Sequence, residues 1–151
     1  PLPEGDKITA LPEFISTWEG AEEAKLNSAY PLQMIGHHYK GRTHSSYGNV
    51  DWLKEAHIQS VWINTMDADQ RGIKTDDAVF VFNDRGRIKL SARVTPRIAP
   101  GVVSVPQGAW YTPNADGVDE GGCVNVLTNY HPSPLAKGNP QHTNLVQVKK
   151  A

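Results

Sequence analysis

The sequence has 151 residues with 15 basic against 16 acidic side chains, so no global field marks it for nucleic acid or a membrane surface, and any anion must be gripped locally. Its single cysteine, Cys123, excludes an intramolecular disulfide and any site built from several thiolates. The length suits one domain able to bury roughly two-thirds of its unfolded surface, and the longest apolar runs fall short of the ~20 residues of a membrane-spanning helix.

The chain opens without an initiator methionine, with three prolines in PLPEGDKITALPEF, a composition of linkers and packing arms. Residues 1–29 are therefore read as an arm with one short helical turn, leading into a domain over 30–151 that belongs to a larger polypeptide. PLQMIG, 31–36, predicts a strand buried on both sides, because its apolar positions do not alternate strictly. VDWLKEAH, 50–57, predicts a short helix with Asn49 as N-cap. SVWIN, 60–64, predicts a second strand. MDADQRG, 66–72, predicts a short helix with acids in its first turn and Gly72 as its stop. DAVFVFNDRGRIKLSARV, 77–94, predicts a hairpin whose NDRG turn uses Gly86 at positive φ, followed by alternation through Ile88, Leu90, Ala92 and Val94. After Pro96 and Pro100 comes a strand at 102–105. The 109–142 region has little periodicity and reads as a long ordered loop, and LVQVKK, 145–150, closes the chain as a strand. About six strands with small helical crossovers predict a mainly β fold, a barrel.

Long loops in a compact domain usually carry function, and two are rich in polar groups. The first, GHHYKGRTHSSYGN at 36–49, holds His37, His38 and His44. A zinc site is disfavoured, because adjacent histidines at a strand end diverge and no carboxylate shares the loop. Cys123 paired with His131 or His142 as nucleophile and base is equally weak, since a lone cysteine after two glycines is more often packed. A phosphate-bearing ligand fits better: Gly36, Gly41 and Gly48 can bring backbone N–H groups close, Arg42 offers a planar fork, and Ser45 and Ser46 add hydroxyls. In the second loop Asn125, Asn139, Gln141 and Asn144 each present donor and acceptor together, as the edge of a pterin or purine requires.

Four stretches carry a resemblance: YPLQMIGHHYKGRTHSSYGNVDWL, VWINTMDADQRGIKTDDAVFVFNDRGRI, VTPRIAPGVVSVPQGAWYTP and GGCVNVLTNYHPSPLAKGNPQHTNLVQV. In unbroken order over about 30–150, they resemble the C-terminal molybdopterin dinucleotide-binding domain of the dimethyl sulfoxide reductase family. Within it they are most similar to the branch of bacterial anaerobic dimethyl sulfoxide reductase catalytic subunits and their selenate-reductase-like paralogues. The resemblance implies a six-stranded double-psi β-barrel of the aspartate-decarboxylase-like kind. It also implies binding of bis(molybdopterin guanine dinucleotide) with molybdenum, in an enzyme of anaerobic respiration that reduces S- or N-oxides. Carried over by motif, GHHY places Gly36, His37, His38 and Tyr39 at the cofactor, RTHS adds Arg42, His44 and Ser45, CVNVLT adds Asn125, and GNPQHT adds Asn139, Gln141 and His142.

The same resemblance implies that this chain contains neither a catalytic residue nor a metal ligand and is inactive alone. An iron–sulfur cluster is expected elsewhere in the full subunit. The implied partners are the remainder of that catalytic subunit, an iron–sulfur electron-transfer subunit and a membrane anchor subunit. The implied location is the periplasmic face of the bacterial cytoplasmic membrane. Two positions depart from the family pattern: KTDD at 74–77 replaces a Gly-Asp turn, and Thr65 stands where a proline is usual. A stand-alone barrel serving as an interaction module, or as a nucleotide-binding module without redox chemistry, is the alternative reading of the same residues.

Overall fold

A computed structural model describes residues 7–139 and 142–151. Helix α1 (Ala21–Leu26) precedes β1 (Leu32–His37), α2 (Asp51–Ala56), β2 (Ser60–Ile63), α3 (Thr65–Asp69), β3 (Ala78–Asn83), β4 (Gly86–Val94), β5 (Val102–Pro106), a 3-10 turn at Val124–Val126, and β6 (Asn144–Lys150). The six strands close into the expected barrel in the order β1-β5-β2-β4-β3-β6.

Only β3 and β4 are both consecutive and paired through a tight turn, so every other connection must cross an end of the barrel. β1 runs parallel to β5 with His37 opposite Pro106, and β2 runs parallel to β4. Because β1 and β5 point the same way, the loops that follow them leave the same barrel end side by side. β2 and β6 run antiparallel to β5 and β1 respectively, so the same two loops also return at that end. Topology therefore gathers residues 38–59 and the described residues of 107–143 over one mouth of the barrel.

Inside, Leu32, Met34, Val61, Ile63, Val79, Val81, Ile88, Val103, Val105, Val146 and Val148 are all buried. They are predominantly β-branched residues, which suit a pleated, enclosed surface. Truncating one of the larger ones, such as Met34→Ala, should cost about 2–5 kcal/mol through lost burial and the cavity left behind.

The structure corrects several local expectations. β1 buries Leu32 and Met34 while Gln33 and Ile35 are only partly covered, so it alternates and is not buried on both sides. Val50, not Asn49, is the N-cap of α2, and no side chain caps it. Helix α3 starts at Thr65 under an Asn64 cap whose side chain accepts from Met66 N, and it ends at Asp69. Gly72 follows at φ +62. Gly86 does not take positive φ. A Cβ there would meet Val126 Cγ1 at 2.5 Å, so the glycine serves close approach of the hairpin to the 3-10 turn. At KTDD the backbone is held by Lys74 N donating to Asp77 Oδ2 at 2.7 Å, with Asp76 at φ +69.

Candidate functional site

The first loop is packed against itself and its neighbours. Tyr39 donates its hydroxyl to the His57 carbonyl, and the Arg42 guanidinium lies 4.0 Å over the Tyr39 ring. A Cβ at Gly41 would meet Tyr39 Cε1 at 2.6 Å, and one at Gly48 would meet Trp110 Nε1 at 2.8 Å. That indole donates to the Ser45 carbonyl at 2.8 Å. Gly41 and Gly48 therefore admit aromatic side chains of the protein, whereas the sequence had suggested a ligand. Gly108, at φ +85, completes the contact: a Cβ there would collide with the His44 carbonyl oxygen.

Arg42 was expected to offer its fork to phosphate. In the structure its Nη2 donates to Gln59 Oε1 at 2.7 Å and to the Gln107 carbonyl at 3.0 Å. Gln59 in turn donates to the carbonyls of Pro106 at 2.8 Å and Gly122 at 3.2 Å. This pair thus ties the first loop, the end of β5 and the second loop together, and Gln59 carried no sequence signal for that role. Burial pushes the Arg42 guanidinium below its ordinary range, and among the described residues its buried Nε has no hydrogen-bond partner.

The second loop is organised by two buried polar side chains that composition alone did not single out as anchors. Asp119 is fully buried; its Oδ1 accepts from Thr112 N at 2.6 Å and Gly121 N at 3.1 Å, and its Oδ2 accepts from Cys123 N at 2.6 Å. Three backbone donors thus solvate one carboxylate, which fixes 112–123 without a counter-charge among the described residues. Asn144 is also fully buried and accepts from Asn129 N at 2.9 Å. The Glu19 carboxylate pairs with both terminal nitrogens of Arg85 at 2.7 and 2.8 Å and accepts from Leu145 N at 2.7 Å. Trp18 stacks on His131 at 3.8 Å between centroids.

Five of the expected site residues line two clefts, whereas Gly36, Arg42, His44, Ser45 and His142 line neither. Gly36 N donates to His142 Nδ1 at 3.1 Å, so these two do meet, and the bond requires His142 Nδ1 to be unprotonated. His37, His38 and Tyr39 line the larger cleft, of about 660 Å³, together with Trp62, Arg93 and Arg97. His37 Nδ1 lies 2.6 Å from Ser104 Oγ, and its ring sits 5.2 Å from that of Trp62. Burial, and secondarily the Arg93 and His38 charges, push His37 below the ordinary imidazole range. His38 and His44 are exposed, with ring centroids 5.5 Å apart. Asn125 and Asn139 converge on a second cleft of about 410 Å³ with Thr128, Asn129, Tyr130 and Lys137. Gln141 lies outside the described residues. No group of three or more metal-ligating side chains is present among the described residues.

Both cleft volumes lie in the roughly 300–1,000 Å³ range of small-molecule sites. The second cleft offers amide donor–acceptor pairs, an ammonium and the exposed Tyr130 ring. That donor set fits a flat, polar heteroaromatic ring bearing an anionic tail. The residues present therefore suit a pterin dinucleotide.

Comparison with known proteins agrees. Residues 32–145 match the family described as the molydopterin dinucleotide binding domain. The chain is 58% identical over 149 residues to the dimethyl sulfoxide reductase DmsA of Escherichia coli strain K12, covering 99% of this chain and 18% of that protein. It is 38% identical over 154 residues to trimethylamine-N-oxide reductase 1 of the same organism, covering 96% and 18% respectively. It thus spans about a fifth of the length of these relatives. Among solved structures, acetylene hydratase from Pelobacter acetylenicus superposes with a TM-score of 0.77 at 17% identity, over 93% of this chain and 21% of that one, a likeness of fold.

Proposed function

The chain belongs to the molydopterin dinucleotide binding domain family, and from that premise we propose that it holds one side of a bis(molybdopterin guanine dinucleotide) within a longer S- or N-oxide reductase subunit. The observation that carries this reading is the convergence of Asn125 and Asn139 on one cleft at the barrel end where the His142–Gly36 bond joins the two loops. When bound, the molybdenum centre supplies oxygen-atom transfer. The chain's share is binding and orientation. Asn125 and Asn139 each give a donor and an acceptor to a ring edge, Lys137 supplies a positive charge, and Gly36 and His37 stand on the β1 side of the same mouth. His38, Tyr39, His44, Ser45, Gln141 and His142 complete the proposed contact set, while Arg42 acts by holding the loop.

The longer subunit is proposed to carry an iron–sulfur cluster and to receive electrons from an iron–sulfur partner subunit and a membrane anchor at the periplasmic face of the cytoplasmic membrane. The shared identity with both an S-oxide and an N-oxide reductase supports that substrate class. The test is to purify the full-length subunit, quantify molybdenum and pterin, and assay reduction of dimethyl sulfoxide, trimethylamine N-oxide and selenate. Bound molybdopterin with turnover of an oxide is expected; a preparation that carries no pterin and reduces none of them would overturn the reading.

A further inference from the structure

Ser104 lines neither cleft, yet it is a polar side chain only 4% exposed on the outward face of β5. It lies in register with Ile35 of β1 and Trp62 of β2, and among the described residues its hydroxyl reaches one partner, His37 Nδ1, at 2.6 Å. The two possible directions of that bond are not equivalent. Were Nδ1–H to donate, the serine proton would be buried with no acceptor among the described residues, an unfavourable arrangement. With the hydroxyl donating, no buried proton is stranded and the imidazole proton resides on Nε2.

We propose that Ser104 is a positioning residue that holds His37 as its neutral Nε2–H tautomer, so that His37 presents a hydrogen-bond donor to an acceptor oxygen in the cleft it lines. This rests on the proposed function, where that oxygen is a phosphate or ring-carbonyl oxygen of the dinucleotide. Geometry supports it further: Trp62, with its ring 5.2 Å from that of His37, limits ring rotation, and His37 Nε2 makes no hydrogen bond among the described residues. Burial and the Arg93 and His38 charges favour the neutral ring. Lys40, His57 and Arg97 on the basic side and Glu55 and Asp76 on the acidic side also line the cleft.

Histidine C2-hydrogen exchange followed by mass spectrometry gives a titration midpoint for His37 in the full-length subunit. A hydroxyl donating to Nδ1 stabilises the neutral ring, so Ser104→Ala should raise that midpoint by about half to one pH unit. Ser104→Thr, which keeps the hydroxyl, should restore it. A midpoint that falls or stays fixed in Ser104→Ala would overturn the assignment. Should the alanine variant not accumulate, Ser104→Cys keeps a weaker donor and must shift the midpoint in the same upward direction by less; a fall or no shift there overturns the assignment equally. Molybdenum and pterin content of His37→Ala tests the underlying reading separately: reduced occupancy is expected, and full occupancy would remove His37 from the cofactor contacts whatever the exchange result.

Discussion

The loops at 36–49 and 109–142 rise from the same end of the barrel, but they spend their polar residues differently. In the first, glycines are filled by Tyr39, His57 and Trp110, and Arg42 is committed to Gln59 and Gln107. In the second, a buried carboxylate and a buried amide fix the backbone, which frees Asn125 and Asn139 to line an open cleft. The glycines and the arginine of the first loop therefore build a support, while His37, His38 and Tyr39 line the larger cleft. Asn125 and Asn139 of the second loop line a separate, smaller cleft.

The contrast can be broken most forcefully at Asp119. Removing its carboxylate in Asp119→Ala leaves three buried N–H groups unsatisfied, and stability should fall by about 4 kcal/mol in chemical denaturation; a loss below about 1 kcal/mol would mean water replaces the anchor. Next is Gly108→Ala, which places a Cβ against the His44 carbonyl at positive φ. It should cost about 3 kcal/mol and change Trp110 fluorescence as the Ser45 contact opens; an unchanged spectrum would refute the packing of the first loop.

Arg42 separates support from ligand contact. Arg42→Ala should lose about 2 kcal/mol of stability and lower molybdenum content as a consequence. Arg42→Lys should do much the same, because a point charge cannot bridge Gln59 and Gln107 as the fork does. Normal stability with lost molybdenum would reinstate direct phosphate binding, and unchanged molybdenum content would count against any role in occupancy.

The smallest effect concerns pH. His37 titrates below its ordinary value in the folded state, so the unfolded chain binds the proton first as pH falls. Its contribution to stability is fully present above about 6.5 and is lost as pH drops through the folded value. His37→Asn should flatten that part of the pH–stability curve, and an unaltered slope would show that the ring is not kept neutral.

The barrel was legible because β-branched alternation in 77–94 and the short apolar runs around it have few other solutions, and topology then forced the long loops to one end. The hairpin turn was placed correctly for the wrong reason: Gly86 answers to Val126, a contact with residues forty positions away that no local rule contains. In the candidate site, Asn125 and Asn139 are legible as amides in an aperiodic loop, and the fold sets both on one cleft. Gln59 and Ser104 were missed because single polar residues beside or within strands look like surface positions, and only the register of β5 with β1 and β2 buries Ser104. Arg42 reads from sequence as a fork, but its partners, Gln59 and the Gln107 carbonyl, lie 17 and 65 positions away, beyond any local rule.

The most direct test of the central claim is the molybdenum and pterin stoichiometry of the full-length subunit carrying Asn125→Ala and Asn139→Ala together, measured beside its thermal unfolding. A fall in both cofactor components of about tenfold at an unchanged unfolding midpoint is the expected result, as two lost amide contacts of ~0.5–1.5 kcal/mol each would give. Full cofactor content in that variant would contradict the assignment of the cleft.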